Sequence, residues 1–113
     1  MEKEYLYVGH YTDTAGNYIL KIGTTNDLKR RAQEHTRKYR NAKTNPLGAT
    51  DEFLYDWTLP LSKYNTLRYE DRNRTVWQNE NIGKFVRNDR FDCGTDKPAQ
   101  VTVTIRKTYT ITL

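Results

Sequence analysis

The stretch from Tyr5 to Gly23, YLYVGHYTDTAGNYILKIG, constrains the fold more than any other part of the chain. Its first half alternates with period two. Leu6 and Val8 are apolar on one side, while Tyr5, Tyr7, Gly9 and Tyr11 lie on the other, as in a strand with one buried face. TDTAGN supplies turn residues, and YILKIG resumes the alternation with Leu20 and Ile22 on the apolar side, so the stretch predicts an antiparallel hairpin. Matching the apolar faces places Lys21 on the side of Tyr7, Gly9 and Tyr11. Both strands are then expected to show a polar and aromatic face directed away from the core.

The period changes in GTTNDLKRRAQEHTRKYR. Thr25 or Asn26 can cap a helix here, and Asp27 suits the positive end of its dipole. Leu28, Ala32, His35 and Tyr39 recur at helical spacing, and Arg31 and His35, one turn apart, share the edge of that stripe. NAKTNPLGATDE reads as a loop in which Pro46 and Gly48 stop regular structure. EFLYDWTLP predicts a third strand ending near Pro60, with Phe53, Tyr55, Trp57 and Leu59 on one face. A second helix follows in SKYNTLRYEDRNRTVWQNEN, capped by Ser62, with Leu67, Glu70, Arg74 and Trp77 near one side. A carboxylate thus stands where an apolar residue is expected, and an ion pair with Arg74 one turn on is its competing use. GKFVRNDRFDCG reads as a basic, aromatic connector, and AQVTVTIRKTYTITL as one long strand or a hairpin turning at Arg106 and Lys107. The order ββαβα plus one or two strands predicts an α+β fold: a small antiparallel sheet of about three central strands, flanked by helices, with extra strands at the C-terminal end.

A chain of 113 residues fits a single domain over residues 1–113 with one modest core. Only 35% of residues are hydrophobic and mean hydropathy is −0.98, so with 9 Tyr, 3 Phe and 2 Trp the buried surface must be largely aromatic. Nineteen Lys and Arg against 14 Asp and Glu give a net charge of +5, which favours anionic partners such as nucleic acid. The single Cys93 excludes an internal disulfide or a CxxC metal site and points to a reducing compartment. No apolar run reaches signal-peptide or membrane-helix length, which predicts a soluble, cytoplasmic protein with no membrane partner.

A Tyr on the first strand, a K-I-G triplet closing the second, an Arg eight residues beyond that Gly and a His four further on together resemble a GIY-YIG nuclease domain. Lys21, Ile22 and Gly23 form the triplet, Arg31 and His35 stand at the two offsets, and Glu70 falls where members carry a metal-binding Glu. The resemblance spans nearly the whole chain. It departs from the pattern at Lys21, where the family's name has Tyr. The first triplet is served by Tyr7 or Tyr11, with Tyr7 preferred, and a late Asn of the pattern corresponds to Asn81 or Asn88. The resemblance implies a DNA endonuclease dependent on Mg²⁺ (or Mn²⁺), in which Glu70 holds the metal; Asp71 and Glu80 are the next carboxylates in line.

The residue types suit that chemistry. Phosphodiester hydrolysis requires water to lose a proton, charge to be neutralised at phosphorus, and the leaving oxygen to be stabilised. Tyr7 or Tyr11 can act as general base beside a cation such as Lys21. Arg31 offers a fork of donors to a phosphate oxygen, and His35 can orient the Tyr or shuttle its proton. The connector, with Lys84, Arg87 and Arg90 among Phe85 and Phe91, either contacts a nucleic-acid backbone or packs its Phe into the core and leaves its charges in water. So small a chain has little surface for sequence readout, so low-specificity cutting, a homo-oligomer or a partner protein is expected. The alternative function is an inactive module that binds nucleic acid or protein.

Overall fold

The computed structural model describes residues 3–13, 15–40, 52–86 and 90–113. The loop expected over residues 41–52 lies outside these except for Glu52, as do Arg87 and Asn88 and the side chain of Tyr39. The elements are β1 (Lys3–Thr12), β2 (Tyr18–Thr25), α1 (Leu28–Arg40), β3 (Leu54–Ser62), α2 (Lys63–Asn79), β4 (Lys84–Val86), β5 (Arg90–Asp92), β6 (Gln100–Thr104) and β7 (Thr108–Thr112). β1 to β5 form one antiparallel sheet in the order β3-β1-β2-β5-β4, and β6 and β7 form a separate hairpin. The α+β architecture is therefore the one expected, with a five-stranded sheet in place of three central strands.

The hairpin of β1 and β2 has the register its alternation dictates, with Tyr7 opposite Gly23, Val8 opposite Ile22 and Gly9 opposite Lys21. Its turn is built by Asp13, whose Oδ1 accepts from the backbone N–H of Ala15 and of Asn17 while Oδ2 accepts from the Asn17 side chain. Leu6, Val8, Leu20 and Ile22 are fully buried on one face against Trp77 of α2, Phe91 of β5, and Val101, Val103 and Ile111 of the β6–β7 hairpin. The opposite face departs from expectation. Tyr7, Tyr11, Ile19 and Phe53 form a second buried cluster there with Leu28 and Ala32 of α1, because the helix lies over this face. The aromatic side of the hairpin is thus a second core layer.

α1 is capped one residue later than the sequence suggests. Asp27 Oδ1 accepts from the Arg30 N–H, while Thr25 Oγ1 accepts from the Asp27 N–H and so braces the turn before the helix.

β3 also differs. Its pairing with β1 slips between Val8, opposite Trp57, and Gly9, opposite Tyr55, leaving Asp56 as the extra residue of a β-bulge. The bulge turns Tyr55 and Trp57 to opposite faces, so the four aromatic and aliphatic residues do not share one. Tyr55 packs on Tyr7, with ring centroids 5.1 Å apart, whereas Trp57 packs on Tyr109 of β7 at 5.3 Å. The extra Asp56 places its Oδ2 2.8 Å from His10 Nδ1. β3 also continues through Pro60 to Ser62. An edge strand accommodates a proline, and β3 is the edge.

In α2 the buried residues are Thr66, Asn73 and Trp77, while Leu67, expected on the inner side, is 52% exposed. Ser62 occupies the cap position without a side-chain cap bond. Asn73 ties the helix to β6: its Nδ2 donates to the Thr104 carbonyl and its Oδ1 accepts from the Thr104 N–H. Trp77 Nε1 donates to the Thr102 carbonyl at 2.9 Å.

The basic connector is not a loop. β4 and β5 form two short strands, and β5 joins the sheet along β2, with Leu20 opposite Phe91 and Lys21 opposite Arg90. Phe91 is a fully buried core residue and Phe85 packs on it from the exposed side, so Phe91 is not available to stack on a base. The C-terminal run is the hairpin expected to turn near Arg106 and Lys107.

Candidate functional site

The residues picked out at the start of the chain meet on the α1 side of the sheet. Tyr7 rises from β1 across Gly23 of β2, and its Oη lies 2.8 Å from His35 Nε2 on α1. Both side chains are buried. A neutral imidazole with Nε2 unprotonated accepts the phenol proton. Gly23 makes this possible, since a Cβ there would collide with Tyr7 Oη and Cζ. Gly23→Ala is expected to cost about 1–3 kcal/mol, as overpacking typically does, and to displace Tyr7 from His35. Urea unfolding measures the first effect; an unchanged midpoint would mean that Tyr7 moves aside freely.

Lys21 sits on the same face and is buried, an unusual place for a lysine. Arg31, on α1, is half-exposed. Its Nη1 pairs with Glu34 at 3.4 Å, but its Nε is buried and finds no hydrogen-bond partner among the described residues. Such a donor costs roughly 1–3 kcal/mol relative to one that is satisfied.

The electrostatics follow from this crowding. The His35 imidazole is lowered to about 3, first by burial and then by the positive charges of Lys21, Arg31, Lys38 and Arg90. An unfolded chain protonates this histidine near 6.5 while the folded one resists until about 3. Between those values the unfolded state binds more protons, so folding stability rises with pH there. Stability is therefore expected to be complete above about pH 6.5 and to fall towards pH 3 with a slope of up to about 1.4 kcal/mol per unit from this group. Urea titrations of wild type and His35→Gln from pH 4 to 7 test this; equal slopes in the two proteins would remove His35 as the cause.

The two candidate tyrosines occupy different surroundings. Tyr7 holds His35, whereas Tyr11 Oη accepts a hydrogen bond of 2.9 Å from Arg90 Nη1. Tyr55 closes the cluster, its hydroxyl donating to the Leu28 carbonyl at 2.6 Å, and burial pushes its phenol up to about 12. Glu70 stands apart from the expected single face. It approaches from α2, on the other side of the sheet, where the Thr24 hydroxyl donates to its Oε2 at 3.4 Å. Thr24 follows Gly23 directly, so Glu70 and Tyr7 address the same end of β2 from opposite faces. The Arg74 guanidinium pairs with Asp71.

Arg90 is the residue that the sequence pattern did not single out. It was one of several cations in an expected connector, and only the pairing of β5 with β2 brings it beside Lys21. Among the described residues no group of three or more His, Cys, Asp or Glu side chains is placed to hold a metal, and no helix is long and apolar enough to cross a membrane.

The family model of the T5orf172 domain matches residues 4–81. No curated protein and no solved structure matches the chain. The match corrects the family drawn from the K-I-G hairpin: it is a different family from the GIY-YIG nucleases, consistent with the departure at Lys21, and short triplets on a hairpin do not separate the two.

Proposed function

The chain belongs to the T5orf172 domain family, and from that premise we propose that it acts on nucleic acid as an endonuclease that hydrolyses DNA phosphodiester bonds. The observation that carries this reading is a buried histidine bonded to a tyrosine, with the buried Lys21 on the same face of the sheet and Arg90 directly opposite it.

In this reading the half-exposed Arg31 guanidinium and the Lys21 ammonium take the oxygens of the scissile phosphate. The arriving phosphate carries negative charge to the groups that depress His35. It offsets their contribution and leaves only the effect of burial, so His35 gains proton affinity when substrate is bound. Tyr7 then accepts a proton from the attacking water as its own moves to His35. The water oxygen bonds to phosphorus and the phosphorus to O3′ bond breaks, its electron pair leaving on O3′, which takes a proton from solvent.

Glu70 would hold a divalent cation of the Mg²⁺ or Mn²⁺ type, since one carboxylate beside a hydroxyl suits an ion that keeps most of its waters and takes substrate oxygens. Such an ion would supply charge neutralisation to a phosphate and its leaving oxygen where the substrate reaches round the end of β2 to the face that carries Glu70.

The burial of the Tyr7 and His35 side chains favours a second reading, an inactive module that binds the DNA backbone. Incubation of supercoiled plasmid with the protein, with Mg²⁺ or with EDTA, separates the two. Nicking that needs the metal supports the nuclease. A salt-dependent gel shift without nicking replaces it with the binding module.

A further inference from the structure

Arg90 lies beyond the matched segment, on β5, directly across from Lys21 of β2. Side chains directly opposite in neighbouring antiparallel strands lie about 4.5–5.5 Å apart at Cβ, and like charges in that position repel. Here the sheet sets two cations side by side, and Arg90 turns towards the α1 face, where its Nη1 donates to Tyr11 Oη at 2.9 Å. Arg31 approaches from the other side: α1 lies over β1 and β3, its Leu28 carbonyl bonded to Tyr55 and its His35 to Tyr7. Arg31 on α1, Lys21 on β2 and Arg90 on β5 therefore belong to the same side of the sheet.

Two guanidinia and a lysine carried by three different elements on one side of the sheet suit two successive phosphates better than one. We propose that Arg90 binds the phosphate adjacent to the scissile one, so that the substrate is a polynucleotide strand laid across β2 towards β5. This rests on the proposed action on DNA. Tyr11 is then a positioning residue, whose hydroxyl aims the Arg90 fork, and the two tyrosines have separate duties. β5, beyond the matched segment, then extends the binding surface.

The test is the affinity of a labelled 20-nucleotide DNA, single-stranded and duplex, for wild type, Arg90→Gln, Arg90→Lys, Tyr11→Phe and Arg31→Gln over a range of salt, with thermal melts of each protein. Each phosphate contact adds about 0.9 to the slope of log K against log salt on duplex DNA and about 0.7 on a single strand. Arg90→Gln is expected to weaken binding several-fold and to lower the slope by that amount, Arg90→Lys to restore the slope, and Tyr11→Phe to weaken binding with the slope retained. If Arg31→Gln weakens binding and Arg90→Gln changes neither affinity nor slope, Arg90 only braces Tyr11 and the inference is overturned. It is also overturned if Arg90→Gln and Tyr11→Phe lower the melting temperature alike and leave both slopes intact. If wild type itself binds neither DNA at low salt, the functional reading fails first and takes the inference with it.

Discussion

Arg31→Ala is expected to slow plasmid nicking by about 10²–10³-fold, the usual consequence of removing one preorganised donor from a developing oxyanion. The structure makes this substitution unusually clean. The pair of Arg31 with Glu34 joins side chains that are 36% and 44% exposed, and exposed pairs one turn apart add only about 0.3–0.5 kcal/mol to a helix. The buried Nε meanwhile has no acceptor among the described residues, so deleting it removes a cost. Stability should therefore stay within about 1 kcal/mol of wild type, and a loss of nicking is not attributable to unfolding. Arg30→Ala is the control on the same helix, since Arg30 spends its guanidinium on Asn26 and Glu34 at the exposed surface. Single-turnover rates on supercoiled plasmid decide the matter: nicking by Arg31→Ala at the wild-type rate would remove Arg31 from the chemistry.

Trp77→Ala is expected to cost about 3–5 kcal/mol, the range for deleting a large aromatic from a core. Trp77 is fully buried and packs against Phe91 with ring centroids 5.4 Å apart. It also binds the Thr102 carbonyl, so its loss leaves a cavity and an acceptor without its donor at the junction of α2, the sheet and the β6–β7 hairpin. A loss of this size lowers the melting temperature by roughly 10–20 °C in a chain of this length. Trp77→Phe keeps most of the volume and should cost about 1–3 kcal/mol, chiefly through the unsatisfied carbonyl. Urea unfolding gives both numbers, and a cost for Trp77→Ala below that expected for Trp77→Phe would show that the core refills around the gap.

The hairpin of β1 and β2 was legible because period two and a six-residue turn segment leave little freedom in register. The second core layer was not. Alternation shows which residues share a face, but nothing local shows that α1 will cover the face holding Lys21. The cap of α1 was misplaced because Thr25, Asn26 and Asp27 are all good cap residues in succession, and only the bond from the Arg30 N–H to Asp27 selects among them. Alternation failed outright on β3, where one bulged residue, Asp56, inverts every face beyond it. β5 was missed because three residues, two of them charged, carry no periodic signal, and their strand character comes entirely from β2.

The site shows the same division. Tyr7, Lys21, Arg31 and His35 lie within one hairpin and the helix after it, so their offsets imply proximity. Glu70 reaches the end of β2 from the opposite layer, and Arg90 meets Tyr11 across 79 positions of sequence, distances at which spacing carries no information. The family was misassigned for a related reason. A K-I-G triplet before a basic helix is short and physically undemanding, so it does not by itself single out one family.

The attachment of β5 to β2 also separates two meanings of the word domain. The recognisable stretch ends at residue 81, inside the α2 to β4 connection, whereas the ladder of backbone bonds continues for another two strands. Cut at its recognisable limit, the polypeptide would present the raw edge of β2 to solvent and strip Leu20 and Trp77 of the phenylalanine that caps them. A bare, apolar edge of that kind recruits other chains. The segment the family model recognises is thus smaller than the sheet it helps to build, and β5 covers an edge of β2 that the matched segment alone would leave open.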